Sequence, residues 1–362
     1  MSGKRGAAAS VWVAAALVSV IGVAGCSSKA STTSSASAIS PTVSVSGPQV
    51  TIGVDGLNKQ IYLPFMLAQR LGYYQAAGIN VVLQDENAGV DAATQLLAGK
   101  VDGVGGFYDH TIDLQGKGQS LESVVSMLVT PGEVELCRND LKGQISSPAD
   151  WKGRTLGVTD LGSSTDFLTQ YLAQKNGVDP STIHRLGVMA GATLIGAMTH
   201  KNVDCAMTTE PTVSQLLANK QAYILLDMRT PAGAAAALGG VYPATCLYMK
   251  TAYVQANPQT VQKLVDVYVK TLRYIHDHTA AEITDQMPAD YYSGIGKAAY
   301  IQALSNEKAI YNPTGIMPAT GPQTALNVHA AFNPGVKGKA IDLAKTYTDQ
   351  FAQAAQTAQA AQ

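Results

Sequence analysis

A repeated pattern in this chain limits the folds that it can adopt. Thr51 opens the segment Thr-Ile-Gly-Val, and Thr155 opens the closely similar segment Thr-Leu-Gly-Val. In each copy an Ala-Gly pair follows, and an aspartate stands thirteen positions after that glycine: Asp102 in the first copy and Asp204 in the second. A repeat of this length predicts two similar folding units. Small-molecule sites often lie between paired units, so the repeat also indicates where a site is expected.

Each copy alternates short apolar runs with stretches of helical spacing, which predicts a βαβαβ unit. This alternation favours parallel sheets with helices on both faces. Ligands of open sheets bind beyond the carboxyl ends of the strands, so the loops after the first and third strands of each unit are the candidate site. The predicted strands are 50–54, 79–83 and 101–107 in the first unit and 155–159, 183–188 and 203–208 in the second, and the second unit's helices are predicted over 165–176 and 192–200.

The sequence that follows the repeat, roughly 250 to 350, has the apolar spacing of helices. Its length predicts that it packs back onto the first unit. Residues 351–362 are rich in Ala and Gln, and a frayed tail is expected there.

The N-terminus has the pattern of a secretory signal. A basic pair precedes an apolar run over 7–23, which is short for a membrane-spanning helix. The run ends in Val-Ala-Gly-Cys, which resembles the lipobox of bacterial lipoproteins and predicts a signal peptide over 1–25 with a lipid on Cys26. The Ser/Thr-rich remainder of 26–49 has too little apolar surface to fold, so a disordered tether is expected there. A retained anchor helix is the alternative.

Charge and motif content argue against several functions. The 25 basic and 26 acidic side chains nearly balance, and no basic stripe interleaved with aromatic residues is present, so no nucleic-acid partner is expected. The sequence has no Gly-x-Ser-x-Gly elbow, no phosphate-binding loop and no His-Glu-x-x-His pair. We therefore expect no enzyme activity, no cofactor and no metal site. An enzyme that uses Tyr108 or His110 is the alternative from another class.

Three cysteines remain if Cys26 carries a lipid, and an odd number leaves one unpaired. Cys205 stands in an apolar, strand-like run and is interpreted as a small buried hydrophobic residue. Cys137 and Cys246 stand on either side of the second repeat unit, where the chain would leave and re-enter the first lobe. A disulfide between these two, near the hinge, is one expectation.

The second unit offers a cluster of hydroxyl side chains between a predicted strand and a predicted helix. The segment runs from Gly162 through Ser163 and Ser164 to Thr165. Free N–H groups and the positive dipole end at a helix start form an anion site, and three hydroxyls exceed the one that a helix cap needs. An ordinary cap is the alternative. Glu210, after the third strand, is a candidate acceptor from a ligand amine or, alternatively, a cap of the next helix.

The first unit offers amide and aromatic side chains in the corresponding loops. Asn58, Gln60 and Tyr62 follow its first strand, and Tyr108 follows its third. Such groups suit the orientation of a small polar ligand between apolar walls. The alternative for Tyr62 is packing on a helix face.

Several short motifs occur in one order along the chain: Pro64 at the start of a helix that runs to Gly72, Asp-Trp-Lys-Gly-Arg at 150–154, Gly-Ser-Ser-Thr-Asp at 162–166, and Glu210 followed by proline. With the lipobox and tether, they resemble the nitrate/sulfonate/taurine class of ABC-transporter substrate-binding proteins. This class overlaps with the proteins that bind pyrimidine precursors of thiamine. The resemblance covers about 50 to 350. The Cys-rich motif of the yeast-type relatives that make the thiamine pyrimidine is absent.

The resemblance implies an α/β, type II periplasmic-binding fold with two βαβαβ-based lobes joined by a two-strand hinge. Lobe 1 would comprise 50–136 plus about 245–350, and lobe 2 would comprise 137–244. The implied protein is monomeric, extracytoplasmic and anchored to a bacterial membrane through Cys26. It would capture a solute in the cleft and deliver it to an ABC permease and its ATPase.

The resemblance also carries ligand contact onto seven residues: Ser163, Ser164, Thr165, Asn58, Gln60, Tyr108 and Glu210. The expected ligand is a small anionic or zwitterionic solute, such as taurine, another sulfonate or nitrate, with its anionic head on the helix that starts near Ser164. A neutral heterocycle, such as a pyrimidine precursor of thiamine, is the alternative because neither cleft loop contains an arginine.

Overall fold

A computed structural model describes residues 47–360 of the chain. The predicted signal peptide, Cys26 and all but the end of the tether lie outside these residues. Within 47–360, no helix is both long enough and apolar enough to cross a membrane. The strands are β1 (Gln49–Asp55), β2 (Asn80–Glu86), β3 (Gly103–Phe107), β4 (Leu121–Ser126), β5 (Val134–Arg138), β6 (Thr155–Val158), β7 (His184–Gly187), β8 (Cys205–Thr208), β9 (Ala222–Asp227) and β10 (Thr245–Lys250). The α-helices are α1 (Leu63–Arg70), α2 (Tyr73–Ala76), α3 (Gly89–Leu97), α4 (Asp109–Gly116), α5 (Ser164–Lys175), α6 (Ala192–Thr199), α7 (Thr212–Ala218), α8 (Pro231–Leu238), α9 (Thr251–Ala256), α10 (Pro258–Asp277), α11 (Ala280–Gln286), α12 (Lys297–Glu307), α13 (Gly321–Phe332) and α14 (Gln350–Ala360).

The strands form two five-stranded sheets, and each sheet is the centre of one lobe. Lobe 1 has the order β2-β1-β3-β10-β4, and lobe 2 has the order β7-β6-β8-β5-β9. The three strands of each repeat unit run parallel, as predicted. The other strands are antiparallel to their neighbours, so both sheets are mixed rather than parallel throughout. The reason is that β5 and β10 each enter their sheet from the other lobe and not through a βαβ crossover within that sheet.

Two crossing segments join the lobes, one between β4 and β5 and the other between β9 and β10. They are hydrogen-bonded to one another: the N–H of Met228 donates to the carbonyl of Glu133 at 3.0 Å, and the N–H of Met127 donates to the carbonyl of Thr245 at 2.8 Å. The lobes are thus connected by a paired hinge, as expected.

The sequence repeat corresponds to one contact made twice. In lobe 1 the Asp102 carboxylate accepts a hydrogen bond from the N–H of Thr51 at 2.8 Å. In lobe 2 the Asp204 carboxylate accepts one from the N–H of Thr155 at 2.9 Å. Each aspartate also donates its own N–H to the carbonyl of the same threonine, at 2.8 and 2.7 Å. Each aspartate therefore fixes the turn before the third strand of its unit to the start of the first.

Most of the C-terminal helices pack on lobe 1, whereas α13 contacts both α4 of lobe 1 and α5 of lobe 2. The long helix α10 contacts α1, β4 and α14, and it buries a row of apolar side chains that includes Leu264 and Tyr268. A frayed tail was expected over 351–362, but the described part of this segment is helical. Phe351, Ala352 and Ala355 are buried against the core, because the apolar positions of α14 recur on one face and α10 covers that face.

The disulfide links Cys137 of β5 to Cys205 of β8, and Cys246 is free and buried. The expected Cys137–Cys246 pair is therefore wrong, as is the interpretation of Cys205 as a simple hydrophobic residue. The reason is topology. Cys137 and Cys205 are directly opposite in an antiparallel ladder, whereas Cys246 lies in the sheet of lobe 1, opposite Gly106 and Ser126.

Candidate ligand site between the lobes

Two adjoining cavities lie where the carboxyl ends of the parallel strands of both lobes meet. The inner cavity has about 10 Å³ of free space, roughly enough for one water molecule. The outer cavity has about 370 Å³, and Lys59 and Ala190 line both. A solute larger than water therefore reaches the inner cavity only when the lobes move apart. The inner cavity is lined by Asp55, Lys59, Ile61, Tyr62, Phe107, Glu133, Thr159, Ser164, Thr165, Ala190, Thr208 and Thr209.

The predicted site residues fall into two groups. Tyr62, Ser164 and Thr165 line the inner cavity, and Asn58 lines the outer one. The remaining five lie beside the cavities without lining them, and the contacts of each are described below: Gln60, Tyr108, Gly162, Ser163 and Glu210.

Lobe 1 contributes a charged cluster at the end of β1. The Asp55 carboxylate accepts hydrogen bonds from the ammonium of Lys59 and the hydroxyl of Tyr62, both at 2.9 Å. All three side chains are buried. Burial and the adjacent Asp55 carboxylate raise the pKa of Tyr62 well above its ordinary value, so this phenol stays protonated and donates. Among residues 47–360, Lys59 is the only basic side chain that lines the inner cavity, and its charge is already paired with Asp55.

Lobe 2 contributes the start of α5, where each of the three hydroxyls has a different partner. Thr165 bonds within its own lobe, because its hydroxyl contacts the N–H of Thr159 at 2.9 Å and the Thr159 hydroxyl at 2.8 Å. The Ser163 hydroxyl accepts from the N–H of Val90 in lobe 1 at 3.4 Å. Ser164 donates to a carboxylate of lobe 1, Asp109, at 2.9 Å. The segment therefore joins the lobes.

Gly162 shapes this turn. Its φ of +89° is favourable only for glycine, and its N–H donates to the Asp166 carboxylate at 2.9 Å. Arg185 forms an ion pair with the same carboxylate. Gly162 therefore positions the α5 start rather than contacting the cavity.

Asp109 is a buried acid that follows the third strand of lobe 1, and it was not among the predicted ligand contacts. It accepts from Ser164 and, at 2.8 Å, from the hydroxyl of Tyr242, and His329 lies 3.9 Å away. Burial alone would raise the pKa of Asp109, but the adjacent imidazoles of His329 and His110 and the hydrogen bond from Tyr242 lower it below its ordinary value. An ionised carboxylate therefore already occupies the position beside Ser164 where an anionic ligand head was expected.

Gln60, Tyr108 and Glu210 are held by protein partners. Gln60 donates its N–H to the Glu210 carbonyl at 3.0 Å and its amide to the Tyr300 carbonyl at 3.1 Å. The Tyr108 hydroxyl bonds to Thr346. These three residues therefore bond to other parts of the protein and do not line either cavity.

Glu210 is fully buried and pairs with Arg229 at 2.7 Å. It also accepts from the N–H of Ser214 at 2.9 Å, which is the helix-capping role weighed as the alternative. Arg229 lies beyond both predicted cleft loops, so its pairing with Glu210 could not be read from local sequence.

Glu133 and Thr208 line the inner cavity but were not among the predicted site residues. Glu133 is 2% exposed, and within the described part of the chain one of its carboxyl oxygens has no hydrogen-bond partner. The Thr208 hydroxyl also lacks a partner there. The only sequence signal for Glu133 was a charged residue beside the strand-like run that starts at Val134. Among residues 47–360, no group of three His, Cys, Asp or Glu side chains is arranged to hold a metal ion.

Comparisons with known proteins agree with this architecture. A family model described as NMT1/THI5 like matches residues 60–281. No curated protein matches the chain. A protein of known structure from Bordetella bronchiseptica RB50 is 32% identical, with a TM-score of 0.82 over 86% of this chain and 98% of that one.

Two further solved structures share the fold at lower identity. The alkanesulfonate-binding protein SsuA from Xanthomonas axonopodis pv. citri, bound to MOPS, is 18% identical with a TM-score of 0.66 over 83% of this chain and 98% of that one. The periplasmic nitrate-binding protein NrtA from Synechocystis PCC 6803 is 12% identical with a TM-score of 0.69 over 86% and 89%. They confirm the predicted periplasmic-binding fold. By the family match and the 32% identical relative, this chain belongs to the NMT1/THI5-like family.

Proposed function

We propose that this protein is the extracytoplasmic solute-binding component of an ABC importer. It captures a small solute between its lobes and delivers it to a permease and its ATPase, and it acts as a monomer without catalysis. The observation that carries the proposal is the inner cavity, which both lobes line and in which two buried polar groups have no partner among residues 47–360. Ligand exchange through such a cavity requires the lobes to separate about the hinge.

Two further features support an extracytoplasmic location. The Cys137–Cys205 disulfide suits an oxidising compartment. The lipobox-like segment ending in Cys26 supports attachment to a bacterial membrane through a lipid. The fold is shared with proteins described as periplasmic nitrate-binding and alkanesulfonate-binding.

The charges that line the two cavities restrict the kind of ligand that can bind. Five carboxylic acids and one lysine line the two cavities, which have no arginine. A fully anionic solute such as nitrate meets more repulsion than attraction there. A zwitterion such as taurine fits better, because its amine can face the carboxylates. We therefore propose a zwitterionic solute first, and a neutral heterocycle second because such a ligand needs no cationic partner. The acids are Asp55 and Glu133 in the inner cavity and Asp85, Glu86 and Asp290 in the outer one.

Isothermal titration calorimetry with taurine, ethanesulfonate, nitrate and a set of pyrimidines tests this proposal. We expect micromolar or tighter binding, about 8 kcal/mol, by one class. Small-angle scattering should show a smaller radius of gyration on saturation with that ligand. Tight binding of a pyrimidine with no response to sulfonates would select the second candidate.

Catalysis is the outcome that would contradict the proposal. His110, an acid-base candidate from the sequence, is 2% exposed and does not line either cavity. Turnover of a bound pyrimidine that disappears in His110→Ala would replace binding with enzymatic function.

A further inference from the structure

Glu133 stands at the hinge, one residue before β5, with its carbonyl bonded to the crossing segment at Met228. Its side chain lines the inner cavity, and one buried carboxyl oxygen has no hydrogen-bond partner in the part of the chain that the structure describes. Buried polar groups are nearly always hydrogen-bonded in folded proteins, since an unmade bond costs free energy. A bound solute would supply the missing bond.

Thr208 places a second such group in the same cavity. It ends β8, directly opposite Val134, the residue that follows Glu133. Its hydroxyl is buried and without a partner in the described residues. A carboxyl and a hydroxyl from neighbouring strands thus face one space. An ionised carboxylate accepts at both oxygens, a protonated carboxyl accepts at its carbonyl oxygen and donates from its O–H, and the threonine hydroxyl can either donate or accept.

The charges around this space favour a donor over an anion. Lys59 is bound to Asp55 and so gives no free positive charge. Burial raises the pKa of Glu133 most, and the nearby carboxylates of Asp109 and Asp55 raise it further. Lys59 lowers this pKa, and Glu135 adds a smaller increase. These groups together repel an oxyanion from the Glu133 carboxyl and attract an N–H group.

We propose that Glu133 and Thr208 form the recognition pair of this cleft, and that its solute presents a nitrogen N–H donor to Glu133. This inference rests on the proposed solute-binding function and names the chemical class of its ligand. The donor belongs either to a cation, ammonium or amidinium, or to a neutral amino group on a heterocycle. Binding of a cation displaces the proton of Glu133 into solvent, whereas binding of a neutral donor leaves it in place.

The test is a retention experiment on the full chain. Dialysed protein is incubated with a defined pool of alkylammonium and amidinium compounds, zwitterionic aminosulfonates, neutral amino heterocycles, and the nitrogen-free or oxidised anions sulfate, ethanesulfonate and nitrate, together with a small-molecule cell extract. Compounds released on denaturation are identified by mass spectrometry. We expect the retained compounds to carry an N–H donor, and Glu133→Met to weaken their binding at least 30-fold in calorimetry, about 2 kcal/mol.

Matched variants separate recognition from folding. Glu135→Gln changes a second buried acid, which lies two residues later in β5 and outside the cavity, and this variant should retain the same compounds as wild type. Glu133→Gln keeps an acceptor oxygen but no charge. This variant should therefore weaken the binding of a cation strongly, and it should weaken the binding of a neutral donor by less than about tenfold. Proton release, measured as the dependence of binding enthalpy on the buffer, should accompany the cation alone. Circular dichroism checks that each variant is folded.

The possible outcomes distinguish the recognition pair from the solute-binding function. Retention of N–H donors that Glu133→Met abolishes supports the inference. Retention of oxyanions that lack an N–H group leaves the solute-binding function standing and overturns the recognition pair, as does retention that Glu133→Met leaves unchanged. If folded protein retains nothing from the pool or the extract, the proposed function itself fails.

Discussion

The carboxylate of Asp109 accepts a hydrogen bond from the hydroxyl of Ser164, 2.9 Å away, across the boundary between the lobes. Both side chains are buried. Asp109 begins α4 of lobe 1 and Ser164 begins α5 of lobe 2. The bond therefore exists only while the lobes are together, so it stabilises the closed arrangement.

Ser164→Ala should open the ligand-free protein. A hydrogen bond to a charged group contributes about 1.5–3 kcal/mol, so the ratio of closed to open molecules should fall by at least tenfold. Small-angle scattering should record a larger radius of gyration. Ser305→Ala, at an exposed position of α12, is the control. An unchanged radius in Ser164→Ala would mean that other contacts determine closure.

The disulfide gives a prediction for thiol chemistry. Burial raises the pKa of the Cys246 thiol to about 12, so this cysteine should resist iodoacetamide in the folded protein. After unfolding without reductant, peptide mass spectrometry should find alkylation at Cys246 and none at Cys137 or Cys205. Labelling of Cys137 under those conditions would contradict the pairing.

Removal of the disulfide should also lower stability. Replacing both Cys137 and Cys205 by Ala should cost about 2–5 kcal/mol of unfolding free energy, because the unfolded chain regains the freedom of a long loop. Urea unfolding with and without reductant measures this. The Cys246→Ala variant, whose residue is equally buried but unpaired, should respond to reductant as wild type does.

Glu135 makes stability fall as pH rises. Burial raises its pKa well above the ordinary value of 4.5. Between 4.5 and the higher folded pKa, the folded state binds more protons than the unfolded state, so unfolding becomes easier by up to about 1.4 kcal/mol per pH unit. Urea unfolding at pH 5 and pH 8 should show a smaller loss for Glu135→Gln than for wild type. Equal losses would mean that Glu135 is already ionised when folded.

The Glu210–Arg229 ion pair should contribute mainly to the free energy of unfolding rather than to ligand affinity. Arg229→Met leaves the Glu210 carboxylate buried without its charged partner, which typically costs about 3–5 kcal/mol. Adding Glu210→Met removes the uncompensated charge and should restore part of that loss in urea unfolding. Additive losses from the two single variants would show that the residues do not depend on one another.

The parts of the fold that depend on local chemistry could be predicted from the sequence. The spacing of Asp102 and Asp204 reflects a contact made within each βαβαβ unit, and the strand and helix order follows from short-range apolar periodicity. The hydroxyls from Ser163 to Thr165 were correctly placed at a helix start. The partners of these groups were not predictable, because Val90 and Asp109 reach them from the other lobe.

By itself the sequence determined the two repeat units, their parallel strands and the candidate loops, since each depends on neighbours along the chain. Only the tertiary structure decided which groups meet in the cleft. The return of the chain into each sheet paired Cys137 with Cys205 rather than Cys246 and brought Glu210 into an ion pair with Arg229. It also left a carboxyl oxygen of Glu133 at the cavity with no hydrogen-bond partner among the described residues. These contacts join residues that are far apart in sequence. They are created by strand order and by the docking of the lobes, so local sequence patterns do not predict them.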